Sequence, residues 1–83
     1  MKLAKYTKFR EEKFGGVLFD TRSEKVFSLN PTAAAVVREI RAGNDERGII
    51  ERLQERFAAT DGLIEKDAVT LIANLRQQGL VED

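Results

Sequence analysis

Catalysis at a protein site needs nucleophiles, bases or metal ligands, and this chain of 83 residues contains neither cysteine nor histidine. That absence removes disulfides, thiolate and imidazole metal sites, Cys–His and Ser–His nucleophiles, and imidazole acid–base catalysis. What remains is 14 Asp or Glu, 14 Lys or Arg, one Tyr and a few hydroxyls. The carboxylate groups Glu11-Glu12 and Glu65 with Asp67 have no metal-ligand pattern and read as solvated charge. Gly15-Gly16 invites comparison with a phosphate-binding loop, but no helix opened by Lys and then Ser or Thr follows at the required spacing. Backbone freedom at a strand entrance explains the pair better. The expectation is a chain that is not an enzyme, with no catalytic residue, no metal and no cofactor of its own. Binding is what its residues are equipped for.

The elements that would position a binding surface divide at residue 30. Before it, Phe14–Asp20 and Lys25–Leu29 are short runs rich in aromatic and β-branched residues, and Thr21-Arg22-Ser23-Glu24 between them is a polar turn. A hairpin is predicted, with Val17 and Phe19 on one face and Phe27 and Leu29 presenting a matching apolar face to one core. A third strand is expected around Tyr6 to Arg10. Asn30-Pro31 is a helix start, Asn capping and Pro at the first helical position. That helix runs to about Ala42, with Ala33, Val36, Val37 and Ile40 inward and Gly43 at its end.

A second helix is predicted from the cap Asp45 to Phe57 or Ala58, with Ile49, Ile50, Leu53 and Phe57 on its apolar face. A third follows the turn Thr60-Asp61-Gly62 and spans Ile64 to Gln78, stopped by Gly79. It carries two apolar stripes, one of Ile64, Ala68, Leu71 and Leu75 and one of Val69, Ile72 and Arg76, more than a single core face requires. Leu80-Val81 extends the apolar pattern. The fold class is therefore α+β, one domain over 1–83, with a small antiparallel N-terminal sheet of two to three strands followed by three α-helices. This is also the parts list of a winged helix-turn-helix.

Net charge is zero, but residues 1–30 carry seven Lys or Arg against four Asp or Glu, and the remainder seven against ten. The N-terminal segment has no apolar core of a signal peptide and no run approaches a membrane span, so a cytoplasmic protein with no membrane partner is expected.

The ordered combination of Phe14-Gly15-Gly16-Val17-Leu18-Phe19-Asp20, Val26-Phe27-Ser28-Leu29-Asn30 and a capped Ala-rich helix resembles the PqqD-like peptide chaperones, also called RiPP recognition elements. Gly43-Asn44-Asp45, Leu71-Ile72-Ala73-Asn74-Leu75 and Gly79-Leu80-Val81 are similar too. The resemblance runs from about Tyr6 to Val81. It implies a winged-helix-like domain that binds the leader segment of a ribosomally made precursor peptide. The leader would add as a strand beside the third strand and lie in a groove against the third helix. The precursor would then pass to a maturation enzyme, often a radical SAM protein, which would hold the iron–sulfur cluster.

On that reading the peptide-binding residues are Val26, Phe27, Ser28 and Leu29 on the edge strand and Val69, Ile72 and Arg76 on the third helix. Phe27 and Leu29 also read as core, which leaves Val26 and Ser28 as the side-chain contacts. Periodicity alone does not separate the stripes of the third helix. The assignment adopted puts Leu71 and Leu75 in the core and Val69, Ile72 and Arg76 at the groove. A second copy of the chain packing on the spare stripe, as a homodimer, stays open. So do a winged-helix DNA binder and a structural or dimerisation subunit. The DNA reading is weakened by a third helix that balances Glu65 and Asp67 against Lys66 and Arg76, so no nucleic-acid partner is expected.

Overall fold

A computed structural model describes residues 1–57 and 62–82. The elements run β1 (Lys2–Leu3), β2 (Thr7–Glu12), β3 (Gly15–Asp20), β4 (Lys25–Leu29), α1 (Pro31–Arg41), α2 (Glu46–Phe57), α3 (Leu63–Gln77) and β5 (Val81–Glu82). Strands β2, β3 and β4 form an antiparallel sheet in that order, and β1 pairs with β5 in a separate two-stranded ribbon. The small sheet followed by three helices is the architecture read from the sequence. The ribbon is an addition, because Leu80-Val81 reads in sequence only as further apolar surface. Among the described residues no helix is long and apolar enough to cross a membrane.

The turn between β3 and β4 is built by Asp20. Its Oδ1 accepts from the Arg22 N–H at 3.0 Å and its Oδ2 from the Ser23 hydroxyl at 3.0 Å. The N–H of Glu24 donates to the Asp20 carbonyl at 2.8 Å while Glu24 adopts φ 63. Donation from the Arg22 N–H, ahead of any other contribution, holds the Asp20 carboxyl below its usual range. The turn pairs Asp20 with Lys25 and so sets Leu18 opposite Phe27 and Gly16 opposite Leu29.

That register corrects the predicted faces of β3. Residues directly opposite share a face, so Leu18, fully buried, is the core residue, and Val17 and Phe19 point to the other side. Gly16 leaves room on the inner face, where a Cβ would meet Phe9 Cε1 at 2.7 Å. At Gly15 only glycine fits, since φ is +140 and a Cβ would lie 2.2 Å from the Leu29 carbonyl oxygen.

α1 starts as predicted, with Asn30 Oδ1 accepting from the Ala33 N–H at 2.8 Å. It ends in a Schellman motif, Gly43 N–H to Ile40 O at 3.0 Å and Asn44 N–H to Glu39 O at 3.1 Å. Asp45 caps α2 through the Gly48 N–H at 2.8 Å. Ile49 and Leu53 of α2 are buried, whereas Phe57, expected on the same face, is 40% exposed. Thr60, Asp61 and Ala58 lie outside the described residues. α3 ends in a second Schellman motif, Gly79 N–H to Arg76 O at 3.0 Å and Leu80 N–H to Leu75 O at 2.9 Å. One core results, joining Leu18 and Leu29 of the sheet to α1, α2 and α3. α1 packs on the inner face of the sheet.

Candidate functional site

Among the described residues the sheet has two open edges, β2 and β4, each paired only with β3, and β4 is the one that leads through Asn30 into α1. Which backbone groups face outward follows from the alternation of an antiparallel ladder. The Thr21 N–H donates to the Tyr6 carbonyl at 2.9 Å, which makes that pair a hydrogen-bonded one. Stepping along the register, Phe19 and Val17 then bond to β2, while Asp20, Leu18 and Gly16 bond to Lys25, Phe27 and Leu29. Val26 and Ser28 are thus the residues whose N–H and C=O groups point off the sheet. Their side chains are exposed on its outer face, Val26 at 62%.

Beside the end of β4 runs a groove between α1 and α3, about 500 Å³ in volume. Ala33, Val36, Ala68 and Leu71 supply its apolar lining, and Asn30, Thr32, Thr70 and Asn74 its polar lining. Lys66 and Asp67 add one charge of each sign. The Asn30 oxygen is already engaged by the cap of α1, and its amide nitrogen is not used by that bond.

The predicted residues do not all reach this site. Val26 and Ser28 stand on the edge. Phe27 is half-buried and Leu29 is buried, both against the core. On α3 the assignment of stripes is corrected. Ile72 is fully buried, with Ala68 and Leu75, and Leu71 is the half-buried residue that lines the groove. Val69 and Arg76, seven residues apart, lie on the flank across the core stripe from Leu71. There Val69, 41% exposed, lines a different depression of about 450 Å³ with Ile50 and Glu65. A sequence signal for the right stripe existed. Gly79-Leu80 marks a Schellman end that anchors Leu75 in the core, and Ile72 and Ala68 lie three and seven residues before it on the same face. Leu71 and Asn74 then fall on the neighbouring stripe.

Among the described residues no group of three or more acidic side chains converges as a metal site. An edge strand beside a mixed apolar and polar groove can hold an extended peptide. Its backbone would complete the ladder, and its alternate side chains would enter the groove.

Comparison with known proteins places the fold. A family profile described as "Coenzyme PQQ synthesis protein D (PqqD)" matches residues 15–81. Of solved structures, a lasso peptide synthetase B1 complexed with its leader peptide is 24% identical over 99% of this chain and 96% of that one, with a TM-score of 0.82. TbiB1 in complex with the TbiA(beta) leader peptide is 16% identical over 99% and 95%, with a TM-score of 0.87. At these identities the likeness is one of fold. No curated protein sequence matches the chain.

Proposed function

The chain belongs to the PqqD family, and on that premise we propose that it captures the leader segment of a ribosomally made precursor peptide as an added strand on β4. The observation that carries this reading is the outward-facing backbone of Val26 and Ser28 alongside the groove lined by Ala33, Leu71 and Asn74. A leader strand would exchange hydrogen bonds with those two residues. Its inward side chains would meet the apolar lining, and its polar groups the Asn and Thr side chains. Val69 and Arg76 would take part only if the peptide continued around α3. Ile72 would act from beneath, supporting Leu71.

The chain performs no chemistry in this scheme. It raises the local concentration of the precursor at a modifying enzyme, a role that asks nothing of the His and Cys it lacks. The resemblance in sequence implies a radical SAM enzyme as that partner, in the cytoplasm. One of the similar structures, the lasso peptide synthetase protein, favours a synthetase component instead. Reconstitution of the precursor with each enzyme class separates the two. A nucleic-acid reading is poorly supported by α3, whose exposed Glu65 and Asp67 oppose Lys66 and Arg76.

The test is a calorimetric or fluorescence titration of the chain with the leader peptide encoded beside it. Binding in the micromolar range or tighter is expected. No binding at tens of micromolar, weaker than about 6–7 kcal/mol, refutes the proposal.

A further inference from the structure

The outer face of the sheet is left without a covering element, and its composition is not that of an ordinary solvated face. On the outward positions of β2, β3 and β4 stand Lys8 and Arg10, then Val17 and Phe19, then Val26 and Ser28. Val26 is 62% exposed, and Val17 and Phe19 are half-buried with nothing but solvent beyond them among the described elements. The one carboxylate on these positions, Glu12, is tied to Arg10 at 2.6 Å. At the turn end Tyr6, 40% exposed, carries two further cations, Arg22 at 4.9 Å and Lys5 at 5.5 Å from its ring centre. The face is an apolar strip bordered by positive charge.

This strip ends at the free edge of β4, where the leader would add. In a strand every second side chain points to each face. A leader paired to Val26 and Ser28 therefore sends half of its side chains into the groove and lays the other half on the outer face, beside Val26. The strand that the groove recognises thus completes the surface that lies opposite.

We infer that this outer face, extended by the leader strand, is the surface on which the modifying enzyme docks, through a patch that is apolar at its centre and acidic at its rim. The inference rests on the leader-binding reading above. Charge complementarity fixes the sign of the partner, since Lys8, which has no ion pair among the described residues, and the Tyr6-bound cations would meet Asp or Glu. The apolar strip argues for a protein and not a nucleic acid, because phosphate contacts alone would leave Val26, Val17 and Phe19 unused. A composite surface also couples the two partners. Enzyme binds the chain more tightly with leader in place, and by linkage leader binds more tightly with enzyme in place by the same factor.

The experiment measures two affinities of the full chain. One is for the leader peptide and the other for the purified modifying enzyme encoded beside it, with and without leader. Lys8→Glu with Arg10→Glu lies two strands from the peptide edge, about 10 Å away. It is expected to leave leader affinity within about twofold and to weaken enzyme binding about tenfold or more. Should that variant unfold, Lys8→Gln with Arg10→Gln replaces it with an expected loss in the same direction. Enzyme binding should also fall as NaCl rises from about 50 to about 500 mM. Unchanged enzyme affinity in a folded variant that still binds leader overturns the inference and leaves the leader-binding reading standing. So does tight, variant-sensitive binding of a single-stranded oligonucleotide of about 30 nucleotides in place of the enzyme. Loss of leader binding by the unmodified chain would instead refute the earlier reading.

Discussion

Proline at position 28 separates the two sides of β4 in one experiment. The Ser28 N–H faces the free edge, so Ser28→Pro removes a donor that no β3 residue uses, and the β3–β4 ladder keeps its bonds through Lys25, Phe27 and Leu29. Proline is tolerated on edge strands, and its preference for extended geometry at the preceding residue suits Phe27. The folded state should lose no more than about 1 kcal/mol, because Ser28 is exposed. A bound leader loses more. It forfeits one hydrogen bond worth about 0.5–1.5 kcal/mol and leaves its own carbonyl facing a ring, at a desolvation cost of about 1–3 kcal/mol. The total of about 2–4 kcal/mol weakens binding by about 30-fold to several hundred-fold.

Thermal unfolding and leader titration of the same variant provide the assay, with Phe27→Pro as the contrast. Phe27 bonds to Leu18, so proline there should destabilise the sheet itself by about 3 kcal/mol or more. A folded Ser28→Pro protein that binds leader within threefold of the parent would refute the assignment of the peptide to this edge. Equal destabilisation by both prolines would refute the hydrogen-bond alternation on which it rests.

Two further expectations follow from burial and from charge. Leu71→Ala, on the half-buried groove stripe, should weaken leader binding by about 1–2 kcal/mol with little loss of stability, while Ile72→Ala, fully buried, should cost about 2–5 kcal/mol of stability. Paired denaturant curves and titrations distinguish them, and the reverse pattern would restore Ile72 to the groove. The Asp20 carboxyl, held below its usual range by the Arg22 N–H, stabilises the turn when ionised. Its contribution is fully present above the unfolded carboxylate pKa and is lost as pH falls through the lower folded value. Carbon-detected NMR titration should therefore find Asp20 titrating below the usual aspartate range, and Asp20→Asn should flatten the acid limb of the stability curve.

Legibility in the sequence followed how locally each feature is specified. Asn30-Pro31, Asp45, Gly43 and Gly79 act through bonds within a turn of helix, and all four mark helix ends where the sequence places them. The hairpin was readable for the same reason. The faces of β3 were not, because Gly16-Val17-Leu18-Phe19 has no polar residue to mark the solvent side. The choice between Leu18 and its neighbours is made by pairing with Phe9 and Phe27, a tertiary fact. The ribbon of β1 and β5 joins residues almost a whole chain apart and only two residues long on each side. No periodicity can announce a strand so short. On α3, Leu71 and Ile72 are adjacent and both apolar, so their roles turn on a rotation of about 100° that packing alone decides.

An open edge strand is also a route to self-association, and the limits placed on this one bear on how it can recognise a peptide. β4 is five residues long. The turn that opens it ends at Lys25, a charged residue whose backbone is taken by Asp20. Pro31 closes it one residue after Asn30, and proline has no N–H with which to extend a ladder. The window left for an incoming strand is Val26 and Ser28, two N–H and two C=O groups. Four neutral hydrogen bonds at about 0.5–1.5 kcal/mol each do not offset the ordering of a flexible peptide at about 1–2 kcal/mol per residue. Backbone pairing can therefore set the direction and register of a leader but cannot by itself hold it. The surplus has to come from side chains entering the groove at Ala33, Leu71 and Asn74. A short edge discourages indiscriminate pairing, and the groove then decides which extended segment stays.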